Sequence, residues 1–184
     1  MKNIKNIEPI EILRFDEKHI TEINNANEGF LIIGKIIPSF QEGEWVYEEE
    51  LFERTSEMKF PDDHLNWSEY INKEDKVIFL AYQNKKCIGQ IRLVKDWNKY
   101  AYIENIAVRK EFRKSGIGRM LLIVGEEWAK ENSLIGMSLE AQNDNLIACR
   151  FYIKEEFVLG GVDTLKQFYN PNIDITLYWY KIFT

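Results

Sequence analysis

The sequence predicts an α+β fold of sandwich-like build, with a mixed, mostly antiparallel central sheet flanked by helices. Three observations carry that prediction. Between Val77 and Val108 three runs rich in β-branched and aromatic residues follow one another at turn distance. Ile117 to Glu131 places Met120, Leu121, Val124, Trp128 and Ala129 on one helical stripe, and beyond it strand and helix patterns alternate to the C-terminus. The 184 residues are 45% hydrophobic and 14% aromatic, with four prolines and no repeat, low-complexity tract or flexible linker, so one domain over 1–184 with a sizeable core is expected.

Taken in order, Ile10 to Phe15 alternates as a short strand, and Asp16 is placed to cap a short helix reaching about Asn25. Phe30 to Ile37 is a β-branched apolar run that Pro38 is expected to end. Trp45 to Phe52 follows the Glu42-Gly43 turn, and the two runs read as a hairpin or as two edge segments. Pro61-Asp62-Asp63 opens a predicted helix through Tyr70. Val77 to Tyr82, Cys87 to Val94 and Tyr100 to Val108 form an antiparallel meander, the first two strands joined around Asn84 and Lys85. After the helix Ile117 to Glu131 come a strand Leu134 to Glu140, a helix Asn145 to Lys154, and closing strands near Phe157 to Val162 and Ile173 to Tyr180.

Net charge is −6, which argues against a general binder of nucleic acid or anionic membrane, because both need a basic footprint. The average hides a polarity. Residues 1–80 carry 18 acidic and 9 basic side chains, net −9; residues 81–184 carry 12 acidic and 15 basic, net +3. From Glu42 to Glu69 ten carboxylates stand against Arg54 and Lys59, whereas Arg109 to Arg119 holds five basic residues against Glu111. Cys87 and Cys149 lack metal-ligand spacing and are too few for a disulfide framework, so no metal is expected. The N-terminal MKNIKNIEPIEI has no long apolar region, and no run approaches the ~18 apolar residues of a membrane span, which points to a cytoplasmic protein.

Chemistry is concentrated between Tyr102 and Leu122, where the strand IENIAV runs into RKEFRKSGIGRM and then a helix. Successive backbone N–H groups entering a helix N-terminus cradle an anion, and Gly116 and Gly118 let the backbone approach it closely. Arg113, Lys114 and Arg119 are expected to add charge-assisted bonds. The loop is not a Walker A loop, which needs Lys-Ser/Thr after its second Gly, nor a dinucleotide fingerprint, which needs three Gly in a parallel βαβ unit. By itself it implies a phosphate-bearing ligand, or merely a basic helix start.

Arg113-x-x-Gly116-x-Gly118 resembles the acyl-CoA pyrophosphate signature of the GNAT acyltransferase superfamily, and it lies where that family carries it, between a strand ending Ile106-Ala107-Val108 and an amphipathic helix. The segment Asn145 to Tyr152 with Phe157 resembles the family's second CoA motif, with one departure: Glu156 stands where the family often has Gly. From about residue 30 to 180 the likeness is closer to the streptothricin acetyltransferase branch, through Ile33 to Pro38, Trp97 to Val108 and Gly161 to Thr164. The resemblance implies the GNAT fold and direct acetyl transfer from acetyl-CoA to a primary amine on the β-lysine moiety of streptothricin, conferring resistance. Other acceptors in the same fold (an aminoglycoside, a polyamine, a protein amine) and a non-catalytic CoA-binding module are the alternatives.

On this resemblance the acetyl-CoA-binding residues are Ile106, Ala107, Val108, Arg113, Lys114, Ser115, Gly116, Ile117, Gly118, Arg119, Asn145 and Tyr152, with Tyr152 protonating the departing thiolate. An acceptor amine is mostly cationic at neutral pH and must lose a proton before it attacks a thioester. Glu104, assigned by the period of two to the strand face of Ile106 and Val108, is either the general base or a surface ion-pair partner. Tyr152 is the acid or a core tyrosine. Cys149 reads as a small core thiol rather than a nucleophile. The N–H of Val108 or Ile106 would stabilise the thioester oxygen if the strand is splayed from its neighbour. His19 and His64 read as surface residues, and Trp97 as core or as a wall of the acceptor site. The carboxylates of 42–69 are expected to steer a cationic small-molecule acceptor. A monomer or homodimer is expected, with an exposed strand edge near the C-terminus as the dimer route.

Overall fold

The computed structural model of the protein describes residues 9–183; most of the N-terminal stretch read above for a leader lies outside that range. The elements are β1 (Glu11–Arg14), β2 (Phe30–Gln41), β3 (Glu44–Met58), β4 (Lys76–Gln83), β5 (Lys86–Lys95), β6 (Tyr100–Val108), α1 (Ile117–Glu131), β7 (Gly136–Gln142), α2 (Leu146–Lys154), β8 (Val158–Asp163) and β9 (Thr176–Ile182). Seven strands form one sheet in the order β1-β4-β5-β6-β7-β9-β8, and β2 and β3 form a separate ribbon. All neighbours in the large sheet are antiparallel except β6 and β7, which α1 joins by a crossover. The predicted mixed, mostly antiparallel sheet with flanking helices is the fold observed.

Local chemistry explains most element ends. Asn84 and Lys85 both take positive φ in the two-residue β4–β5 turn, as a hairpin matched to strand twist requires. The Asp16 carboxylate accepts from Lys18 N–H at 2.8 Å and caps a short 3-10 segment, Glu17–Glu22. The buried stripe of α1 (Leu121, Leu122, Gly125, Trp128, Ala129) packs on Ile91 and Leu93 of β5, with Ile103 and Leu139 in the same core. Each fully buried aliphatic there contributes about 1.5–3 kcal/mol. A smaller cluster on the opposite face joins Phe15, Tyr70, Ile78, Leu80 and Tyr82.

Two expectations fail. Pro38 does not end its strand: β2 continues to Gln41, with Pro38 opposite Tyr47, because an edge ribbon accommodates a residue that donates no ladder bond. The helix expected from Pro61 to Tyr70 is reduced to a 3-10 turn, Trp67–Tyr70. Eight to ten residues make a marginal helix, and here the segment's polar groups bond elsewhere. Asn27 Nδ2 donates to Asp62 at 2.6 Å, Arg92 reaches Asp63 at 2.5 Å, and Asn24 Nδ2 donates to the Asp63 carbonyl at 3.1 Å.

The β2–β3 ribbon is tied to both ends of the β6–β7 pair. At one end Arg113 donates to the carbonyls of Gly29 and Glu28. At the other, Ile36 N–H donates to the Asn143 carbonyl at 2.9 Å while Asn143 Nδ2 donates back to the Ile36 carbonyl at 3.3 Å. Trp45 packs on the main core, Trp67 on the smaller cluster, and Trp97 is 91% exposed in the loop before β6, which removes it from the core.

Glu156, where the related pattern has glycine, follows α2 with φ of 69°, a left-handed conformation that costs a side-chain-bearing residue about 1–2 kcal/mol. Glu156→Gly is therefore expected to raise the unfolding free energy by about 1 kcal/mol in urea denaturation, with the slope unchanged.

Candidate active site

Strands β6 and β7 pair only from Tyr100↔Gly136 to Ile103↔Leu139, yet β6 runs on to Val108 and β7 to Gln142. Beyond Ile103 the two part. Arg109 N–H bonds back to the Ile88 carbonyl, so strand alternation points the N–H of Val108 and Ile106 away from β5 and into the gap. The same alternation turns the Ala107 amide toward β5, where Ala107 lies opposite Gln90. Of the strand end Ile106-Ala107-Val108, the structure thus offers the first and third amides to a ligand and withholds Ala107.

A bulge re-aims Glu104. Arg92 pairs with Asn105 and Leu93 with Ile103, leaving Glu104 as the extra residue. Ile106 and Val108, opposite Ile91 and Gly89, belong to the α1 side, whereas Glu104 reaches Arg92 and Tyr70 on the other. The expected shared face of Glu104, Ile106 and Val108 is therefore corrected: one inserted residue shifts the two-residue alternation. Tyr70 donates to Glu104 Oε2 at 2.5 Å, and Arg92 Nε lies 2.9 Å from the same oxygen without hydrogen-bond alignment. Arg92 also reaches Asp63 and stacks over the Trp67 ring at 5.5 Å. Burial, then the Glu104 bond, push the Tyr70 hydroxyl well above the ordinary tyrosine range. Glu104 is both an ion-pair partner and a carboxylate at the apex of the gap.

The loop after β6 enters α1 through Gly116 at φ of 89°, and an added Cβ there meets nothing within 4 Å. Met120 N–H bonds to the Gly116 carbonyl, leaving the N–H groups of Ile117, Gly118 and Arg119 with no carbonyl one turn back inside the helix. These amides and the positive end of the helix dipole face open space beside the gap, with Lys114 exposed next to them and Arg119, also exposed, 3.7 Å from Glu155 at the end of α2. The Ile117 side chain is buried in the core, so only its backbone can face a ligand. Ser115 Oγ donates to the Phe112 carbonyl and shapes the turn. The Arg113 guanidinium braces the loop: Nε donates to the Val108 carbonyl at 2.9 Å, and the two remaining nitrogens donate to the carbonyls of Gly29 and Glu28.

Asn145 caps α2, its Oδ1 accepting from Ala148 N–H at 3.4 Å. One turn and two turns on, Cys149 and Tyr152 are buried. The Cys149 thiol is pushed up to about 12 chiefly by burial, and its Sγ faces the Gln142 carbonyl, as suits a core thiol and not a nucleophile. Burial first, then nearby Cys149 and Tyr102, raise Tyr152 far enough that its hydroxyl keeps its proton throughout the working pH range. Its ring packs between Phe151 and Phe157. His64 is exposed, and His19 is half-buried against Asp16 at 2.7 Å. Among the described residues no His, Cys, Asp and Glu cluster is arranged to hold a metal.

The acidic segment divides. Glu49 forms a bidentate pair with Arg150 of α2, and Glu57 pairs with Lys110 in the loop between β6 and α1, so both are neutralised. Asp63 and Glu69 lie near Arg92, Lys76 and Tyr70, on the side of Glu104. Sequence reasoning missed Arg92, Tyr70 and Asn143: each stands in an ordinary apolar or polar run, and only tertiary pairing gives it a role.

Residues 40–157 match the model of the acetyltransferase (GNAT) family. The chain belongs to the GNAT acetyltransferase family. It is 40% identical over 173 residues to streptothricin acetyltransferase A of Bacillus subtilis (strain 168), covering 94% of this chain and 99% of that one. Among solved structures it is similar to a Bacillus anthracis str. Ames protein assigned as a streptothricin acetyltransferase and crystallised with acetyl coenzyme A, with a TM-score of 0.86 and 33% identity over 96% of this chain and 98% of that one. Nourseothricin acetyltransferase shares the fold, with a TM-score of 0.78 at 22% identity over 95% and 99% of the two chains. The protein is thus an acetyl-CoA-dependent acyltransferase. Its own geometry fits that cosubstrate: amides facing a strand gap for an extended amide-bearing chain, and a free helix N-terminus beside open space for a pyrophosphate.

Because Arg113 spends its guanidinium on three carbonyls, Arg113→Ala is expected to lower the unfolding free energy by about 2–3 kcal/mol. Lys114→Ala, at an exposed site, should change it by less than about 0.5 kcal/mol. Chemical denaturation of both variants checks the contrast.

Proposed function

We propose that the protein acetylates a primary amine of streptothricin, on its β-lysine moiety, and so confers resistance to that antibiotic. The observation that carries the reading is the 40% identity to streptothricin acetyltransferase A over 94% of the chain. The apex of the gap supports it with the groups such a transfer requires. Acetyl-CoA supplies the acetyl group as an activated thioester.

In this reading Glu104 receives the ammonium proton, directly or through one water. Its Oε2 is held by Tyr70 and Arg92, which leaves Oε1 for the acceptor. The N–H groups of Ile106 and Val108 orient the bound chain and meet the charge that develops on the carbonyl oxygen, worth about 3–4 kcal/mol for a well-placed donor. Tyr152, protonated and buried on α2, delivers a proton to the departing sulfur. Asn145 fixes the start of that helix, and the amides of Gly116, Ile117 and Gly118 with Lys114 and Arg119 hold the phosphates. Direct transfer needs no covalent enzyme intermediate, in keeping with the core placement of Cys149.

Incubation with acetyl-CoA and, separately, streptothricin, an aminoglycoside, spermidine and a lysine peptide, followed by thiol release and product mass, tests the reading. Acetylated streptothricin is the expected product, and turnover confined to another amine would replace the acceptor. Tyr152→Phe should lower kcat roughly tenfold to hundredfold while the Kd for acetyl-CoA stays within about twofold; an unchanged kcat removes Tyr152 from the acid role.

A further inference from the structure

Away from α1, the β4–β5 side of the sheet is covered by the smaller apolar cluster, but over β6, β7 and β9 there is a cavity of about 180 Å³. Its lining includes Asp96, Tyr102, Ser138, Glu140, Tyr178 and Tyr180. Resting on the amine-acetylation reading above, we propose that this cavity is a second ammonium subsite. It takes the distal charged nitrogen of a di- or oligoamine acceptor whose reacting nitrogen lies at Glu104.

The lining has the chemistry of a cation site, carboxylates set among tyrosine rings. Asp96 is half-buried; its Oδ1 accepts from Trp97 N–H at 2.8 Å, and no basic side chain pairs with it among the described residues. Ser138 is only 5% exposed and lines the cavity, and its hydroxyl makes no hydrogen bond among the described residues, so it is free to bond a ligand there. At the other end of the cavity a primary ammonium of the chain itself shows how this wall accepts one. Lys166 Nζ pairs with Glu140 and stands 5.4 Å from the centre of the Tyr178 ring. Tyr180 can lie over the backbone of β8 because Gly160 is there: a Cβ at that position would come within 2.5 Å of the ring. Trp97, almost wholly exposed beside Asp96, offers a further aromatic face at the mouth.

Geometry links the cavity to the reaction centre. Asp96 N–H bonds to the Tyr100 carbonyl, and β6 then climbs four residues to Glu104, roughly 13 Å at about 3.3 Å per residue. A second ammonium at Asp96 therefore sits a long diamine's length from an amine at Glu104. Monoamines cannot use it.

The test compares 1,8-diaminooctane with n-octylamine, which differ in the second ammonium, as acceptors for the wild-type protein and Asp96→Asn. The expected result is a diamine-over-monoamine ratio of kcat/KM well above one, falling at least about fivefold in Asp96→Asn through the diamine KM, with kcat little altered. An equal ratio in the two proteins overturns the subsite while leaving amine acetylation intact. If the wild type turns over neither amine nor streptothricin, the acceptor reading fails. Calorimetric titration then decides the subsite: diamine binding tighter than monoamine binding, weakened in Asp96→Asn, supports it, and indistinguishable binding overturns it.

Discussion

The parting of β6 from β7 after Ile103↔Leu139 is the constraint on which the rest of the site depends. Up to that pair the two strands satisfy each other's backbone groups. Beyond it, the amides of Ile106 and Val108 must find another partner or remain unpaired, at a cost of about 1–3 kcal/mol each if they are buried. A parallel ladder cannot simply be left open. Here α1, carried over the sheet by the crossover, packs on β6 and β7, while α2 packs on β2 and Asn143 ties the end of β7 to that same strand. The β2–β3 ribbon spans the two ends through Arg113 and Asn143, so the opening is fixed by hydrogen bonds at both sides and is ready for an extended ligand to complete the sheet.

The bulge at Glu104 gives the gap its second property, two different faces at one apex. On the α1 side lie apolar Ile106 and Val108 and the open N-terminus of α1. On the other lie Glu104, Arg92 and Tyr70 at the gap, and Tyr102 and Glu140 next to it. The proposed reaction needs a carboxylate for a cationic acceptor and an anion cradle for the cosubstrate at one point without the carboxylate repelling the phosphates, and the bulge serves it by turning Glu104 away from the α1 side. The overall polarity of the chain follows the same division only in part. Glu49 and Glu57 pair with Arg150 and Lys110, Asp63 and Glu104 share Arg92, Glu69 pairs with Lys76 and Glu140 with Lys166, so of these carboxylates and Asp96 it is Asp96 that has no basic partner among the described residues.

Sequence periodicity was enough to read the sheet meander, both helices and the glycine-bearing loop that enters α1, because each is a local pattern: alternation in Val77 to Tyr82, a stripe in Ile117 to Glu131, and glycines at a strand-to-helix turn. It failed where tertiary partners outbid local preference. Asp62 and Asp63 look like a helix start but bond to Asn27 and Arg92, and Pro38 looks like a stop but lies in an edge ribbon that tolerates it. The face of Glu104 was misread for a different reason: a bulge leaves no mark in a single sequence. Arg113 shows the same limit at the site itself, since a motif fixes which residue is present but not which way its guanidinium turns.

Amide hydrogen exchange by NMR, with and without saturating acetyl-CoA, tests the central claim most directly. The amides of Ile106, Val108, Ile117 and Gly118 are expected to slow markedly when the cosubstrate binds, while that of Ala107, already laddered to β5, changes little. Exchange at Ile106 and Val108 that stays the same under saturating acetyl-CoA would contradict it, because the gap between β6 and β7 would then not be where the cosubstrate lies.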